Sequence, residues 1–351
     1  MSALDFVRPD LRDFAPYRAA APVYDATRLH ANEATWRQPW DDSVVGLNRY
    51  PDPVAARVTA GLAERYGVAP GNMLLTRGSD DAIDALTRLT CVAGQDAVAV
   101  CPPTFGMYAV AARVQGAGVI EVPLTSDGDV DADALIRDAA SVRLVYICSP
   151  NNPTGNVCSL AVVADLCRAF AGQAMVVVDE AYLEFARLPS AAPLLAEFEN
   201  LAVLRTLSKA YALAGARVGA LVARPEVVGL ARAMLPPYLL PAPSLEAAER
   251  AIAPDAVRAM EQQIDGVIAR RERLASRLAA VDGVERVWPS AGNFLLLDVP
   301  NAAGLEARCR EAGYLVRRFD APARLANCIR ITVGSESDNA TLISVIEEFG
   351  T

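Results

Sequence analysis

Histidine is almost absent from this 351-residue chain, which contains only His30. This excludes a metal site built from several imidazoles, and a serine–histidine–aspartate triad could use that residue alone. Cysteine occurs seven times, but no CxxC pair is present and most cysteines lie in apolar segments. We therefore expect buried, reduced thiols.

The sequence also has no long hydrophobic run and no excess of positive charge. No apolar segment reaches the ~20 residues that a membrane-spanning helix requires. The first residues carry charges where a secretory signal needs an apolar core, so we expect a cytoplasmic protein. The formal net charge of −9 disfavours nucleic acid as a partner, because phosphate binding depends on basic surfaces.

Short, continuously apolar segments alternate with predicted helices between residues 73 and 222. This alternation is typical of an α/β domain with a mainly parallel sheet that is covered on both faces. Polar residues follow three of the predicted strands, at Asn152, Asp179 and Lys209. Because ligands of such sheets bind beyond the carboxyl ends of the strands, we expect these three side chains to converge on one crevice.

A proline-rich stretch at 235–243 separates this region from a smaller α+β unit. We expect an N-terminal arm over residues 1–42, a large domain over 43–245 and a small domain over 246–351. The small domain begins with a long amphipathic helix at 254–281. Its predicted strands are Val284–Trp288, Asn293–Val299, Tyr314–Val316 and Cys328–Val333.

The segment 204–219, which reads LRTLSKAYALAGARVG, carries the chemistry on which the functional prediction depends. Lys209 comes just beyond a predicted strand, with Ser208 and Arg217 close by. A pyridoxal phosphate site needs these residue types, because the lysine forms a Schiff base with the aldehyde while serine and arginine bind the phosphate dianion. Ser-Lys pairs are common, so a merely solvated lysine is the alternative for this segment alone.

A second segment, TRGSDD at 76–81, is a glycine-containing turn that opens a predicted helix, with Ser79 or Asp80 suited to the N-cap. The free N–H groups at such a helix start can bind an anion. An ordinary capped helix is the alternative.

Taken together and in order, several segments resemble the fold-type I pyridoxal-phosphate-dependent aminotransferases, and most closely the histidinol-phosphate aminotransferases among them. The resemblance extends from Tyr17 to Gly334. It is carried by LHANE at 29–33, NRYP at 48–51, RGSDD at 77–81, CPPTFGMY at 101–108, SPNNPTG at 149–155, VVVDEAY at 176–182, RTLSKAYALAGAR at 205–217 and CIRITVG at 328–334.

The resemblance implies a cofactor role for each matching residue. Lys209 would bind pyridoxal 5'-phosphate covalently and move the proton, and Asp179 would pair with the pyridine nitrogen. The remaining implied contacts are Asn152 and Tyr182 at the ring oxygen, Phe105 at the ring face, Ser79, Asp80, Ser208 and Arg217 at the phosphate, and Tyr50 reaching the phosphate from the partner subunit of a homodimer.

The resemblance also implies a substrate site. Arg330 would bind the α-carboxylate through two hydrogen bonds. Tyr17 and Arg317 would lie near a distal phosphate, and Asn32 belongs to the same substrate-binding set. Two positions depart from the usual family pattern: Phe105 stands where tyrosine is common, and His30 where asparagine is common.

The implied activity transfers the amino group of L-histidinol phosphate to 2-oxoglutarate, in histidine biosynthesis. An aromatic or broad-specificity aminotransferase is one alternative, and a threonine-phosphate decarboxylase-like enzyme, whose family shares the SPNNPTG and SK segments, is another. A cofactor-binding regulator without catalysis is disfavoured by the presence of Lys209, Asp179 and Arg330. Asp179-Glu180 also resembles the end of a Walker B strand, but the sequence contains no GxxxxGK[ST] motif.

Overall fold

A seven-stranded sheet forms the centre of the computed structural model, which describes residues 2–15, 27–319 and 323–350. Its strands are, in chain order, β1 (Met73–Thr76), β2 (Ala97–Val100), β3 (Gly118–Glu121), β4 (Leu144–Cys148), β5 (Met175–Asp179), β6 (Leu201–Thr206) and β7 (Gly219–Val222).

The strand order in this large sheet is β1-β7-β6-β5-β4-β2-β3. Strand β7 pairs antiparallel with both of its neighbours, and the other pairs are parallel. All strands except β7 therefore point in one direction, and their carboxyl ends meet at one edge. The predicted mainly parallel sheet is confirmed.

Helices cover both faces of the large sheet and connect its strands. The helices that pack on this sheet are, in chain order, α1 (Ala56–Tyr66), α2 (Ser79–Thr90), α3 (Met107–Gln115), α4 (Ala132–Asp138), α5 (Leu160–Ala169), α6 (Leu183–Ala186), α7 (Pro225–Met234) and α8 (Ala242–Ala251). Helix α9 (Pro254–Leu278) packs partly on the same core and partly on a separate core cluster, which contains α10 (Ala302–Glu311) and α11 (Glu336–Gly350). The central strands are apolar throughout because both of their faces are buried: Met175 and Val177 of β5 pack into one core cluster, and Val176 and Val178 into another.

A second, four-stranded antiparallel sheet follows α9, in the order β10-β11-β9-β8. Its strands are β8 (Arg286–Val287), β9 (Phe294–Asp298), β10 (Arg317–Arg318) and β11 (Cys328–Thr332). The prediction of a strand at Tyr314–Val316 is wrong. The residues that pair with β11 are Arg317 and Arg318, opposite Arg330 and Ile329, so the strand begins after the predicted segment.

The cysteines are free thiols, as expected, and all of them are buried except the partly buried Cys158. Among the described residues, no helix combines the length and the apolar character needed to cross a membrane. The two sheets lie within the ranges expected for the large and small domains. The division at 42/43 and 245/246 stays a prediction.

Candidate active site

Side chains from the carboxyl ends of β4, β5 and β6 line one cavity at that edge of the large sheet. Three of them are Asn152, Asp179 and Lys209, which the sequence predicts to converge. The cavity is also lined by six other residues that the sequence marks as cofactor contacts: Ser79, Asp80, Phe105, Tyr182, Ser208 and Arg217. The lining residues to which the sequence assigned no role are Cys148, Ala181, Thr206 and Ala214.

Lys209 lines this cavity and is accessible to solvent. Its ammonium nitrogen is 5.8 Å from the centre of the Tyr182 ring. Partial burial, together with the positive charges of Arg330 and Arg217, lowers the pKa of Lys209. A lower pKa increases the neutral, nucleophilic fraction of the amine at neutral pH.

Asp179 is the buried anion of the cavity, with 2% of its surface exposed. Tyr108 donates its hydroxyl to Oδ2 at 2.8 Å, and the Ala181 N–H donates to Oδ1 at 3.1 Å. Burial raises the pKa of Asp179 to about 6 in spite of these two donors. Sequence reasoning missed Tyr108, although it belongs to the CPPTFGMY segment. Its ring stacks on Tyr146, with 4.6 Å between centroids.

The start of α2 lies at another part of the cavity wall. The helix begins at Ser79 and its N-cap is Gly78, so the expectation that Ser79 or Asp80 would be the N-cap is wrong. Gly78 has φ of 78°, and a Cβ there would lie 2.6 Å from Nη2 of Arg217. The positive φ favours glycine at this position, and the absence of a Cβ allows the arginine to approach closely. Arg217 donates to Ser208 Oγ at 3.3 Å and to Asp80 Oδ2 at 3.4 Å. Two serines, a guanidinium and a helix N-terminus together can bind a phosphate dianion.

Asn152 connects the cavity to the small sheet. Its Nδ2 donates to the hydroxyl of Tyr182 at 3.4 Å, and its Oδ1 accepts a hydrogen bond from Nη1 of Arg330. The ring of Phe294 lies edge-on to Tyr182, with 5.1 Å between centroids, and 5.6 Å from the Arg330 guanidinium. Arg330 of β11 thus reaches the wall of a cavity that is built mainly by the large sheet.

Arg317 is directly opposite Arg330 in the register of β10 and β11. Both guanidinium groups lie 5.8 Å from the centre of the Phe319 ring. Burial and, to a smaller extent, the charge of Arg317 lower the pKa of Arg330. The small sheet therefore places two cations close together, an arrangement suited to a ligand with more than one negative charge.

Arg330 and Arg317 are not among the residues that line this cavity, and two further described residues that the sequence predicts for the site, Asn32 and Tyr50, do not line it either. Tyr17 lies outside the described residues. Asn32 has φ of 54° and an exposed side chain, and it does not line the cavity that the described residues form. Tyr50 is also absent from that lining, and its ring stacks on Tyr238 with 4.4 Å between centroids.

Glu33 fixes the loop that carries Tyr50, although sequence reasoning gave it no role. Its side chain is only 2% exposed and forms ion pairs with Arg28 at 2.6 Å and Arg49 at 3.0 Å. It also accepts a hydrogen bond from the Tyr50 N–H at 2.8 Å. Although burial opposes ionisation, these donors lower the pKa of Glu33. Its position in the LHANE segment was the available signal.

A further signal missed in the sequence is that Lys209 is the only lysine in the chain. Every other basic side chain apart from His30 is an arginine, whose guanidinium stays protonated and does not act as a primary amine. Any reaction of this protein that needs a side-chain primary amine must therefore use Lys209.

Comparisons with known proteins agree with this geometry. The family model "Aminotransferase class I and II" matches residues 28–346. A curated histidinol-phosphate aminotransferase from Stenotrophomonas maltophilia (strain R551-3) is 46% identical over 350 residues, covering 98% of this chain and 96% of the relative. A relative of the same name from Xanthomonas campestris pv. campestris (strain 8004) is 44% identical, with 99% and 97% covered. The structure of histidinol-phosphate aminotransferase from Sinorhizobium meliloti in complex with pyridoxal-5'-phosphate matches with a TM-score of 0.76 at 26% identity, covering 86% of this chain and 82% of that chain.

Proposed function

Because the chain belongs to the class I and II aminotransferases, enzymes that use pyridoxal phosphate, we propose that it transfers the amino group of L-histidinol phosphate to 2-oxoglutarate. The products are imidazole acetol phosphate and glutamate, in a step of histidine biosynthesis. The proposal rests on the meeting of Lys209 and Asp179 in one cavity, with Arg330 hydrogen-bonded to Asn152 at its wall. A cytoplasmic location is part of this proposal.

The cavity fits pyridoxal phosphate. Asp179 is a buried carboxylate whose two hydrogen-bond donors within the described part of the chain are neutral, and its pKa is raised to about 6. A cationic ring nitrogen would supply the positive charge that favours its ionised form. The other residues proposed to hold the cofactor are Ser79, Asp80, Ser208 and Arg217 at the phosphate, Asn152 and Tyr182 at the ring oxygen, and Phe105 at the ring face.

When bound, pyridoxal phosphate supplies an aldehyde that joins amines and a protonated ring that withdraws electrons from the reacting carbon. Lys209 provides the amine that holds the aldehyde and, once free, accepts and returns the proton at Cα of the amino donor. Its lowered pKa suits both tasks, because only the neutral amine is a nucleophile or a base. Asp179 keeps the ring nitrogen protonated by its negative charge.

The small sheet supplies the substrate contacts of the proposed enzyme. Arg330 binds the α-carboxylate of glutamate and 2-oxoglutarate, because a guanidinium can form two parallel hydrogen bonds with a carboxylate. Arg317, opposite it in the sheet, is proposed to bind the distal phosphate of the donor. Tyr17 and Asn32 of the arm stay predicted contacts of the same substrate.

We further propose that the enzyme is a homodimer in which Tyr50 reaches the phosphate site of the partner subunit. Tyr50 is 47% exposed and belongs to a segment with an unusual density of exposed apolar side chains. Exposed apolar side chains that form a patch are typical of a protein interface, so this segment is the proposed contact with the partner subunit. The exposed apolar residues of this segment are Leu29, Trp36, Trp40, Val44, Val45, Leu47, Tyr50 and Val54.

A donor screen tests the proposed reaction. Purified holoenzyme is incubated with 2-oxoglutarate and one of four donors, histidinol phosphate, histidine, phenylalanine or threonine phosphate, and glutamate formation is measured. We expect kcat/KM for histidinol phosphate to exceed those for histidine and phenylalanine. Comparable turnover of phenylalanine would instead favour a broad-specificity aminotransferase, and carbon dioxide release from threonine phosphate without glutamate would identify a decarboxylase.

A further inference from the structure

A buried cluster of charged side chains lies at the carboxyl ends of β5 and β6, and its members are not among the residues that line the cavity described above. Its central residue is Arg205 of β6, which donates to Oε2 of Glu180 at 2.7 Å and to Oε1 of Glu184 at 2.6 Å. The side chains of Arg205, Glu180 and Glu184 are only 6%, 2% and 10% exposed. One guanidinium therefore bridges two carboxylates that follow strand β5.

The cluster is held in place by further contacts. Glu180 also accepts hydrogen bonds from the Ser190 hydroxyl and from the Ala191 N–H, each at 2.6 Å. The Arg205 guanidinium lies 4.5 Å from the centre of the Tyr66 ring, a distance typical of a cation–π contact. The cluster thus connects β5, β6, α6 and the end of α1.

Each charged residue of the cluster is close in sequence to a proposed functional residue. Glu180 directly follows Asp179, Glu184 comes two residues after Tyr182, and Arg205 comes four residues before Lys209. The two strands are also joined at this level by the Glu180 N–H, which donates to the carbonyl oxygen of Leu204 at 3.0 Å. A shift of Arg205 would therefore displace the ends of both strands.

Stability alone does not explain such a cluster. Removing three charges from water costs several kcal/mol per ion, and apolar replacements of a buried ion pair are often neutral or stabilising. Short charge-assisted hydrogen bonds, by contrast, restrict the positions of the segments that carry them. We propose that Arg205, Glu180 and Glu184 are positioning residues that hold Asp179, Tyr182 and Lys209 in their relative places. This inference rests on the proposed function of those three residues.

The conservative substitution Arg205→Lys tests the inference in the holoenzyme. Lysine keeps the positive charge but lacks the fork that reaches both carboxylates. Because a misplacement of ~1 Å can cost about a hundredfold in rate, we expect kcat to fall by about tenfold to a hundredfold. KM for the amino donor should change by less than about threefold, since no substrate contact is removed. The midpoint of the pH titration of the bound cofactor's visible absorbance should also shift.

Arg143→Lys is the matched control. Arg143 immediately precedes β4, at the amino end of that strand and thus away from the carboxyl ends that form the cavity. It donates to the carbonyl oxygens of Asp5, Phe6 and Gln173. Its substitution should lower the melting temperature and leave kcat and the absorbance titration unchanged. If Arg205→Lys behaves in the same way, the cluster has only a structural role and the inference is wrong.

A second variant covers the case in which Arg205→Lys does not fold. Glu180→Gln keeps the shape of the side chain and an acceptor for Ala191 but removes the charge that Arg205 contacts. The same loss of kcat and shift of the titration midpoint are expected, and unchanged values overturn the inference. Wild-type enzyme without histidinol-phosphate activity would contradict the proposed function instead, so the two failures are distinguishable.

Discussion

Arg330 of the small sheet donates a hydrogen bond to Asn152, a residue 178 positions earlier in the loop that follows β4 of the large sheet. The same Asn152 side chain donates to the hydroxyl of Tyr182. One amide therefore joins the proposed carboxylate-binding arginine to a proposed cofactor contact. Under the proposed function, binding of substrate and the environment of the cofactor ring are therefore physically connected through this residue.

Lys209→Ala should abolish covalent attachment of the cofactor. Because Lys209 is the only lysine, borohydride reduction of wild-type holoenzyme should attach one cofactor per chain, at the peptide that contains residue 209. The variant should show no such label, and its turnover should fall by several orders of magnitude, since both the nucleophile and the proton carrier are lost. Mass spectrometry of the reduced peptides checks this. Label on the variant chain would place the attachment at the N-terminal amine.

Asp179→Asn should stabilise the apoprotein while it removes activity. Burial raises the pKa of Asp179 to about 6, from its ordinary value of 3.8, so the folded wild type holds this proton more tightly than the unfolded chain does. Wild-type stability therefore falls as pH rises from 3.8 towards 6, and it stays lower above that range. The advantage of the variant in free energy of unfolding should grow by roughly 1–1.5 kcal/mol between about pH 5 and about pH 8.

Urea unfolding of both apoproteins at these two pH values measures the difference. The amide of the variant does not titrate. All other titratable groups are shared by the two proteins, so their contributions cancel in the difference between the two free energies of unfolding. An advantage that is the same at both pH values would mean that Asp179 is already ionised in the folded apoprotein at about pH 5.

Gly78→Ala should weaken cofactor binding through Arg217. The new Cβ would lie 2.6 Å from Nη2 of Arg217 and would stand at φ of 78°, so the guanidinium or the turn must move. Loss of one charge-assisted contact costs about 1.5–3 kcal/mol, and we expect the dissociation constant of the phosphate-bearing cofactor to rise by about tenfold to a hundredfold. Gly71→Ala is the control, because a Cβ at Gly71 meets nothing within 4 Å. Equal affinities in the two variants would contradict the proposed role of Arg217.

Tyr50→Ala and Lys209→Ala subunits should complement each other. If Tyr50 acts across a dimer, a mixed dimer contains one site with both native residues and regains part of the wild-type activity. The activity of co-refolded mixtures, measured against each parent alone, checks this. Mixtures no more active than the parents would mean that the stacking of Tyr50 on Tyr238 serves only its own subunit.

Arg317→Ala should reduce selectivity for a phosphorylated donor. The guanidinium is opposite Arg330 in the sheet and is proposed to offer a second cation to the substrate. We expect kcat/KM for histidinol phosphate to fall by about tenfold to a hundredfold, with any slow activity on phenylalanine retained, because phenylalanine has no phosphate. Arg310→Ala, which removes an exposed arginine on α10, should leave both activities unchanged. An equal loss on both donors would make Arg317 structural.

The apolar segments and the residues that follow them could be interpreted from the sequence alone. Strands such as β5 are recognisable because both faces are buried and every side chain must be apolar. The carboxyl ends of parallel strands share one edge, which predicts the convergence of Asn152, Asp179 and Lys209 without any coordinates. The resemblance to aminotransferases and the use of pyridoxal phosphate are confirmed by the comparisons.

Only the tertiary structure decided which distant side chains meet. The contacts of Tyr108 with Asp179, Arg330 with Asn152 and Arg205 with Glu180 join residues far apart in the sequence. The sequence predicts a strand at Tyr314–Val316, whereas β10 consists of Arg317 and Arg318. These two residues form a strand only because they pair with β11. Hydrophobic periodicity reports which face of a segment is buried, whereas the partner that covers that face depends on the order of the strands in the sheet.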